Sequence, residues 1–508
     1  MRTKLLAFFL VFSLMLQGQN AVIKIDIDRK ISEIDPKIYG VFMEPIQISG
    51  RRGLPDSPVI NTLYGNLYDP ASPLANQDGF RTDYIEAMKE LKVTNMRWPG
   101  GNYLMGYNWQ DGIGPKNKRP ARINMAWGGI DNNHVGTDEW LKLNQAMGSE
   151  NVVCVNLGLG TIMDAAWWVE YCNYKGGTYF SDLRASNGHK EPYRVKIWDL
   201  GNEVDGKPWE LGHKKVEDYI EVAREVAKAM LAIDNSIELV GCGSSWYSPN
   251  GWDEWNRQVL KGIGDKIKYL SIHSYWENAK EYYDYMGASA RILEDRIIIT
   301  AGEIKAISTT QGYQHPIYLS IDEWGAFGRS FMNVLPVAQS FNSFIRHADV
   351  VKMTNFTTMT SLLSADPVKG TFKSPLFHTF KLFSVNCRGT AVDTYVQCDT
   401  FNTQKFKGIQ VLDVSSVYSR EKNAVFVNVV NRHQHKSVSA EITGTSASFS
   451  GKAELSLITA GDLQEPFSFD KQKTYEPVIT TVEIKNGKLV YSFPPHSFVQ
   501  IRIPVPPR

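Results

Sequence analysis

Short apolar runs recur along the first three quarters of the chain, and between them apolar residues return every three or four positions. The runs are Ile38–Met43, Val93–Trp98, Val152–Asn156, Val195–Leu200, Glu238–Gly241, Tyr269–His273, Ile317–Ile321 and Val350–Met353. Each is short enough for a strand buried on both faces. Between them, Tyr84, Ile85, Met88 and Leu91 keep the spacing of a helix with one buried face, as do Tyr219, Ile220, Ala223, Val226, Ala227 and Met230. Eight alternations of strand and helix predict an α/β fold, a (β/α)8 TIM barrel. A doubly wound sheet is the alternative, but no Gly-x-Gly-x-x-Gly turn follows the first run.

The texture changes after residue 385. Helical periodicity stops, and alternating segments such as Ala424–Val430 and Phe498–Ile503 take over. Asn486-Gly487, flanked by Val482-Glu-Ile and Leu489-Val-Tyr, predicts a hairpin. An additional C-terminal β-sandwich is expected over 386–508, with the barrel over 36–385. The run Val22–Asp28 alternates too, so 22–35 is expected to join the sandwich as an edge strand.

The N-terminus adds a location. Arg2 and Lys4 precede an apolar run, Leu5–Leu16, and small and polar residues follow it to Ala21. This is the pattern of a signal peptide over 1–21, so export to a periplasm or the extracellular space is expected. No stretch has the length and apolarity of a membrane span. Lys and Arg number 55 against 54 Asp and Glu, a balance that argues against nucleic acid as a partner. Of the five cysteines, Cys154 and Cys242 lie in apolar runs as buried thiols, and Cys387 and Cys398 are the expected disulfide if one forms. None has metal-ligand spacing.

Chemistry gathers at the C-terminal strand ends, where such a barrel builds its pocket. The first strand ends at Glu44, the second at Arg97 before Pro99-Gly100-Gly101-Asn102, the third at Asn156 and the fourth at Asn202-Glu203. The sixth leads into His273-Ser274-Tyr275 and the seventh into Asp322-Glu323-Trp324. Two carboxylates facing each other suit glycosidic bond cleavage, one protonating the leaving oxygen and the other attacking the anomeric carbon or activating water. Asn202 is placed to hydrogen-bond a sugar 2-hydroxyl. Taken singly, each residue has a plainer explanation. An Asn-Glu pair arises by chance about once in 400 dipeptides. Glu323 could be a salt-bridge partner, Asp322 suits the nucleophile's role equally well, and His273 could be a satisfied core histidine. Their convergence at strand ends favours the chemical reading.

Long blocks of the chain then resemble a known family. IYGVFMEPI (38–46), MRWPGGNYLMGYNWQDGIGPKNKRP (96–120), GTDEW (136–140), VNLGLGT (155–161), YFSDLRASNGHKEPYRVKIWDLGNEVDG (179–206), YLSIHSYW (269–276) and LSIDEW (319–324) resemble the α-L-arabinofuranosidases of glycoside hydrolase family 51. The resemblance implies a retaining, exo-acting enzyme without a metal or other cofactor, acting on arabinose-containing saccharides, and a homo-oligomer. It implies Glu203 as acid/base and Glu323 as nucleophile. Glu44, Arg97, Asn102, Trp127, Asn202, His273 and Tyr275 are implied to bind substrate or position those two. Pro45-Ile46-Gln47, Gly325 and Thr358 depart from the family pattern, which implies altered sugar contacts around unchanged chemistry.

Two further readings stand beside it. The same barrel with glutamates on strands four and seven serves β-glycosidases and endoglucanases, and a non-catalytic carbohydrate-binding protein is the reading from a different class. A metal site at His433-Gln434-His435 has no acidic partner at ligand spacing.

Overall fold

A computed structural model describes residues 21–44, 67–208, 210–246, 251–276, 281–325, 328–357, 359–366 and 368–506. Most of the expected signal peptide, Pro45-Ile46-Gln47 and Thr358 lie outside the described residues.

Eight strands close into a parallel barrel in chain order: Gly40–Phe42, Asn95–Trp98, Glu150–Val155, Ile197–Leu200, Glu238–Gly241, Tyr269–Tyr275, Tyr318–Gly325 and Val351–Phe356. They are the eight runs anticipated from the apolar pattern, all but Glu238–Gly241 trimmed or extended at their ends. Helices pack outside, several of them through one apolar stripe, whereas Val334–Arg346 is buried on every face. In Val216–Ile233 that stripe is Tyr219, Ala223, Val226, Ala227 and Met230, all buried. Burial of one such side chain contributes roughly 1.5–3 kcal/mol, so the helix is held by its stripe more than by propensity.

The second layer is a nine-stranded sheet. Its order is Val478–Glu483, Lys452–Ile458, Ser497–Pro504, Ala424–Asn431, Leu412–Ser419, Thr390–Gln397, Ala21–Glu33, Val438–Gly444 and Lys488–Phe493. The sheet curls so that residues near both ends, Leu455 and Leu489, share one core with Ile23, Ile25 and Val427. It docks on the barrel through Phe498, stacked on Phe383 of the helix Pro375–Asn386 at 5.1 Å. A partly buried charge cluster adds to the contact: Arg346 donates to Asp413 at 3.0 Å and to Glu294 at 2.7 Å.

Three expectations are corrected. The N-terminal strand is interior, paired antiparallel with Thr390–Gln397 and parallel with Val438–Gly444. Alternation reports which face is buried, here Ile23, Ile25 and Ile27, and carries no count of neighbours. Asn486 and Gly487 do form a left-handed turn, with φ of 53° and 77°. The strands it joins, however, pair elsewhere, Val478–Glu483 with Lys452–Ile458 and Lys488–Phe493 with Val438–Gly444. The turn thus links the two edges of the curled sheet. Finally, all five cysteines are free. Cys387 is buried against Asn428 and Gln500, whose amides occupy its sulfur.

Candidate active site

The polar strand ends meet at one mouth of the barrel, organised around Arg97. Its side chain is fully buried, and its guanidinium fork is divided among five acceptors, the most distant being Cys154 Sγ at 3.8 Å from Nη2. Nε donates to Asp199 at 2.6 Å and lies 3.3 Å from Asp322; Nη1 donates to Glu323 at 3.0 Å; Nη2 donates to Asn202 at 2.8 Å. Phe42 lies under the guanidinium carbon at 5.1 Å, a cation–π contact. A planar, permanently charged fork suits this task where a lysine's point charge does not.

Two consecutive carboxylates reach Arg97 because the seventh strand is irregular. Its register against the sixth strand shifts between Ser320 and Glu323. Such a bulge re-aims side chains that would otherwise alternate between faces. Asp322 is held between Arg97 and His273 Nε2, each at 3.3 Å. Burial raises its pKa, but those two cations outweigh it and hold the carboxyl below its usual range. Glu323 has one donor on each oxygen, Arg97 on Oε1 and the Tyr275 hydroxyl on Oε2 at 2.9 Å. Burial raises its pKa and the charge of Glu203 raises it further, while His273 and Arg97 pull it down.

Glu203 follows the fourth strand through Gly201 and Asn202, and its own φ is +45°. A non-glycine residue in the left-handed region is sterically costly and is held there by its surroundings, a condition that clusters at functional positions. His273 Nδ1 lies 2.9 Å from Glu203 Oε1 and 3.6 Å from Glu323 Oε2. Burial disfavours the imidazolium, but Glu323, Asp322 and Glu203 together raise its pKa well above 6.5. Glu203, His273 and Glu323 offer ligand atoms within 4.8 Å of one another, the one such grouping among the described residues. Those carboxylates favour the protonated form of the histidine between them. His433 takes no part, because its Nδ1 accepts from the backbone N–H groups of His435 and Lys436.

The remaining residues line the same space. Glu44 Oε1 accepts from the Tyr103 backbone N–H and from the Trp127 indole, both at 2.7 Å. Burial, with the charge of Glu323, pushes its pKa up to about 8. Gly101, at φ +50°, lets the backbone pass so near that an added Cβ would lie 2.1 Å from the Glu44 carboxyl carbon. Asn202 Nδ2 sits 3.5 Å from Asn102 Oδ1. The structure therefore brings together all nine residues singled out from the sequence. Sequence reasoning missed Asp199 as part of the site, although a charge inside the buried strand Ile197–Leu200 is itself a signal. It also missed Phe42, and Asp205, which accepts from Ser245 N at 2.7 Å.

Two family models match: the Alpha-L-arabinofuranosidase 1 domain over residues 87–288 and the Alpha-L-arabinofuranosidase C-terminal domain over 322–497. An intracellular exo-α-(1→5)-L-arabinofuranosidase of Acetivibrio thermocellus is 33% identical, with 83% of this chain and 86% of the relative covered. The crystal structure of an α-L-arabinofuranosidase from Thermotoga maritima in an arabinose complex superposes with a TM-score of 0.83 at 28% identity, covering 95% and 99% of the two chains. The family 51 α-L-arabinofuranosidase of Thermotoga petrophila gives 0.84 at 28%, also covering 95% and 99%.

These comparisons correct the expectation of export. The Acetivibrio relative and those from Halalkalibacterium halodurans, Bacillus subtilis and Streptomyces lividans are all named as intracellular enzymes. Two basic residues before a short apolar run are a compositional signal, and many short apolar segments satisfy it by chance. Among the described residues no helix is long and apolar enough to cross a membrane.

Proposed function

Because this chain belongs to the α-L-arabinofuranosidases of glycoside hydrolase family 51, we propose that Glu203 and Glu323 are its acid/base and nucleophile. The enzyme is a retaining α-L-arabinofuranosidase, and its proposed substrates carry terminal, non-reducing α-L-arabinofuranosyl residues on plant-type saccharides. One observation carries the reading of the two as a retaining pair, whose division of roles follows the family motif: the carboxylates approach within 4.8 Å, and each is oriented by its own donors. Retaining glycosidases set their carboxyl groups ~5–5.5 Å apart, whereas inverting ones leave room for a water.

In the first step Glu323 attacks the anomeric carbon, the bond from that carbon to the leaving oxygen breaks, and Glu203 gives its proton to that oxygen. The product is an arabinosyl ester on Glu323. In the second step Glu203 takes a proton from water as its oxygen attacks the same carbon, and Glu323 leaves as carboxylate. Two inversions give retention. Arg97 and Tyr275 hold the nucleophile ready, so little reorganisation is needed as charge moves. Asn202, oriented by Arg97, is the proposed partner of the 2-hydroxyl, and Glu44, Asn102 and Trp127 are the proposed partners of the rest of the ring.

The test is hydrolysis of p-nitrophenyl α-L-arabinofuranoside by wild type, Glu203→Ala and Glu323→Ala, with azide rescue. Both variants should lose nearly all activity. Azide should give a product of retained configuration through Glu203→Ala and of inverted configuration through Glu323→Ala. Folded wild type that does not turn the substrate over would sink the assignment.

A further inference from the structure

The fifth strand, Glu238–Gly241, leads through Ser244 and Ser245 to Trp246, a large aromatic left 43% exposed beside the site. It stands on a fixed base. Arg296 donates to the Ser244 carbonyl at 2.7 Å and to its hydroxyl at 2.8 Å. The Ser245 N–H donates to one oxygen of Asp205 at 2.7 Å, and its hydroxyl donates to the other. Asp205 belongs to the turn that carries Glu203, closed by Gly206 N donating to Glu203 O at 2.8 Å. One residue beyond, Lys207 Nζ lies 5.1 Å from the Trp246 ring centroid. Trp246 is thus tied through its neighbour, and through Lys207, to the turn holding the proposed acid/base.

That turn defines a side of the pocket. A group that protonates a leaving oxygen must stand beside it, so the unit departing with that oxygen lies against the turn of Glu203 and whatever borders it. A sugar ring presents an apolar C–H face and a rim of hydroxyls. An indole offers a broad, rigid apolar surface for the first at small entropic cost, and a neighbouring ammonium offers donors for the second.

We infer that Trp246, with Lys207, is the binding platform for the leaving-group saccharide unit, an inference that rests on the arabinofuranosidase reading. The experiment compares kcat/KM for α-(1→5)-linked arabinobiose and for methyl α-L-arabinofuranoside, whose leaving group is too small to cover an indole. In Trp246→Ala the ratio of the disaccharide to the methyl glycoside should fall at least about tenfold, mainly through KM for the disaccharide. Trp246→Phe keeps an aromatic surface and should hold the ratio within about threefold of wild type. An unchanged ratio in Trp246→Ala, with wild type cleaving both glycosides, overturns the platform alone. Wild type that cleaves neither overturns the arabinofuranosidase reading and the platform with it.

Discussion

His273 Nδ1 stands 2.9 Å from Oε1 of Glu203, on a ring whose other nitrogen faces Asp322 at 3.3 Å. The imidazole is therefore pinned at both ends, and the surrounding carboxylates raise its pKa and so favour its protonated form. Its positive charge lies 3.6 Å from the nearer oxygen of Glu323 and lowers that group's pKa against the effect of burial.

Removing that charge should make Glu323 harder to ionise. For His273→Ala we expect kcat/KM at the optimum to fall about 10²–10³-fold. The acidic limb of the pH–rate profile should also move to higher pH, because the nucleophile acts only as the carboxylate. A loss of rate with an unmoved acidic limb would show that His273 does no more than orient Glu203.

Tyr275 offers a test of pre-organisation without a change of charge. Its hydroxyl donates to Glu323 Oε2, the oxygen Arg97 does not serve. Tyr275→Phe should lower kcat by about 10²-fold, as loss of one aimed donor does elsewhere, with the melting temperature within a few degrees of wild type. Wild-type kcat in this variant would mean that Arg97 alone suffices to hold the nucleophile.

Much of this site was legible because a parallel barrel turns chain order into geometry. Eight buried strands read as eight apolar runs, and whatever follows a run lands at the same mouth, so Glu44, Arg97, Glu203 and Glu323 could be placed before any contact was known. Support between strands was not legible. Asp199 and Asp322 brace Arg97 from the fourth and seventh strands, a pairing that depends on which way side chains point once the seventh strand bulges. The sheet was harder for the same reason. Alternation in Val22–Asp28 marked a buried face, but its neighbours, Thr390–Gln397 and Val438–Gly444, lie hundreds of residues away. Asn486-Gly487 marked a turn, but long-range pairing decided that its flanking strands separate.

The cysteines give a direct chemical check on the sheet domain. Cys387 packs against Asn428 and Gln500, and Cys398 Sγ accepts from the Leu412 N–H at 3.5 Å, so neither thiol faces the other. Alkylation of the unfolded, unreduced protein should add five alkyl groups, one for each free thiol. A product two groups short would mean that a disulfide forms after all, and mapping would show whether it joins Cys387 to Cys398.

Glu44 couples the site to stability. Its carboxyl titrates near 4.5 in the unfolded chain and about 8 in the fold, because it is buried near Glu323. A folded-state pKa above the unfolded one means the fold binds this proton more tightly. The resulting stability is fully present below about pH 4.5 and is lost as pH rises through about 8. Glu44→Gln removes the titration while its amide oxygen can still accept from Tyr103 and Trp127. The melting temperature of Glu44→Gln relative to wild type should therefore climb by a few degrees between about pH 5 and about pH 9, even as sugar binding weakens. A difference that stays constant across that range would mean that Glu44 is ionised throughout, its charge met by donors inside the pocket. If the difference does climb, the fold gives up stability at neutral and alkaline pH to keep a carboxyl group beside its nucleophile, a trade that functional sites commonly make.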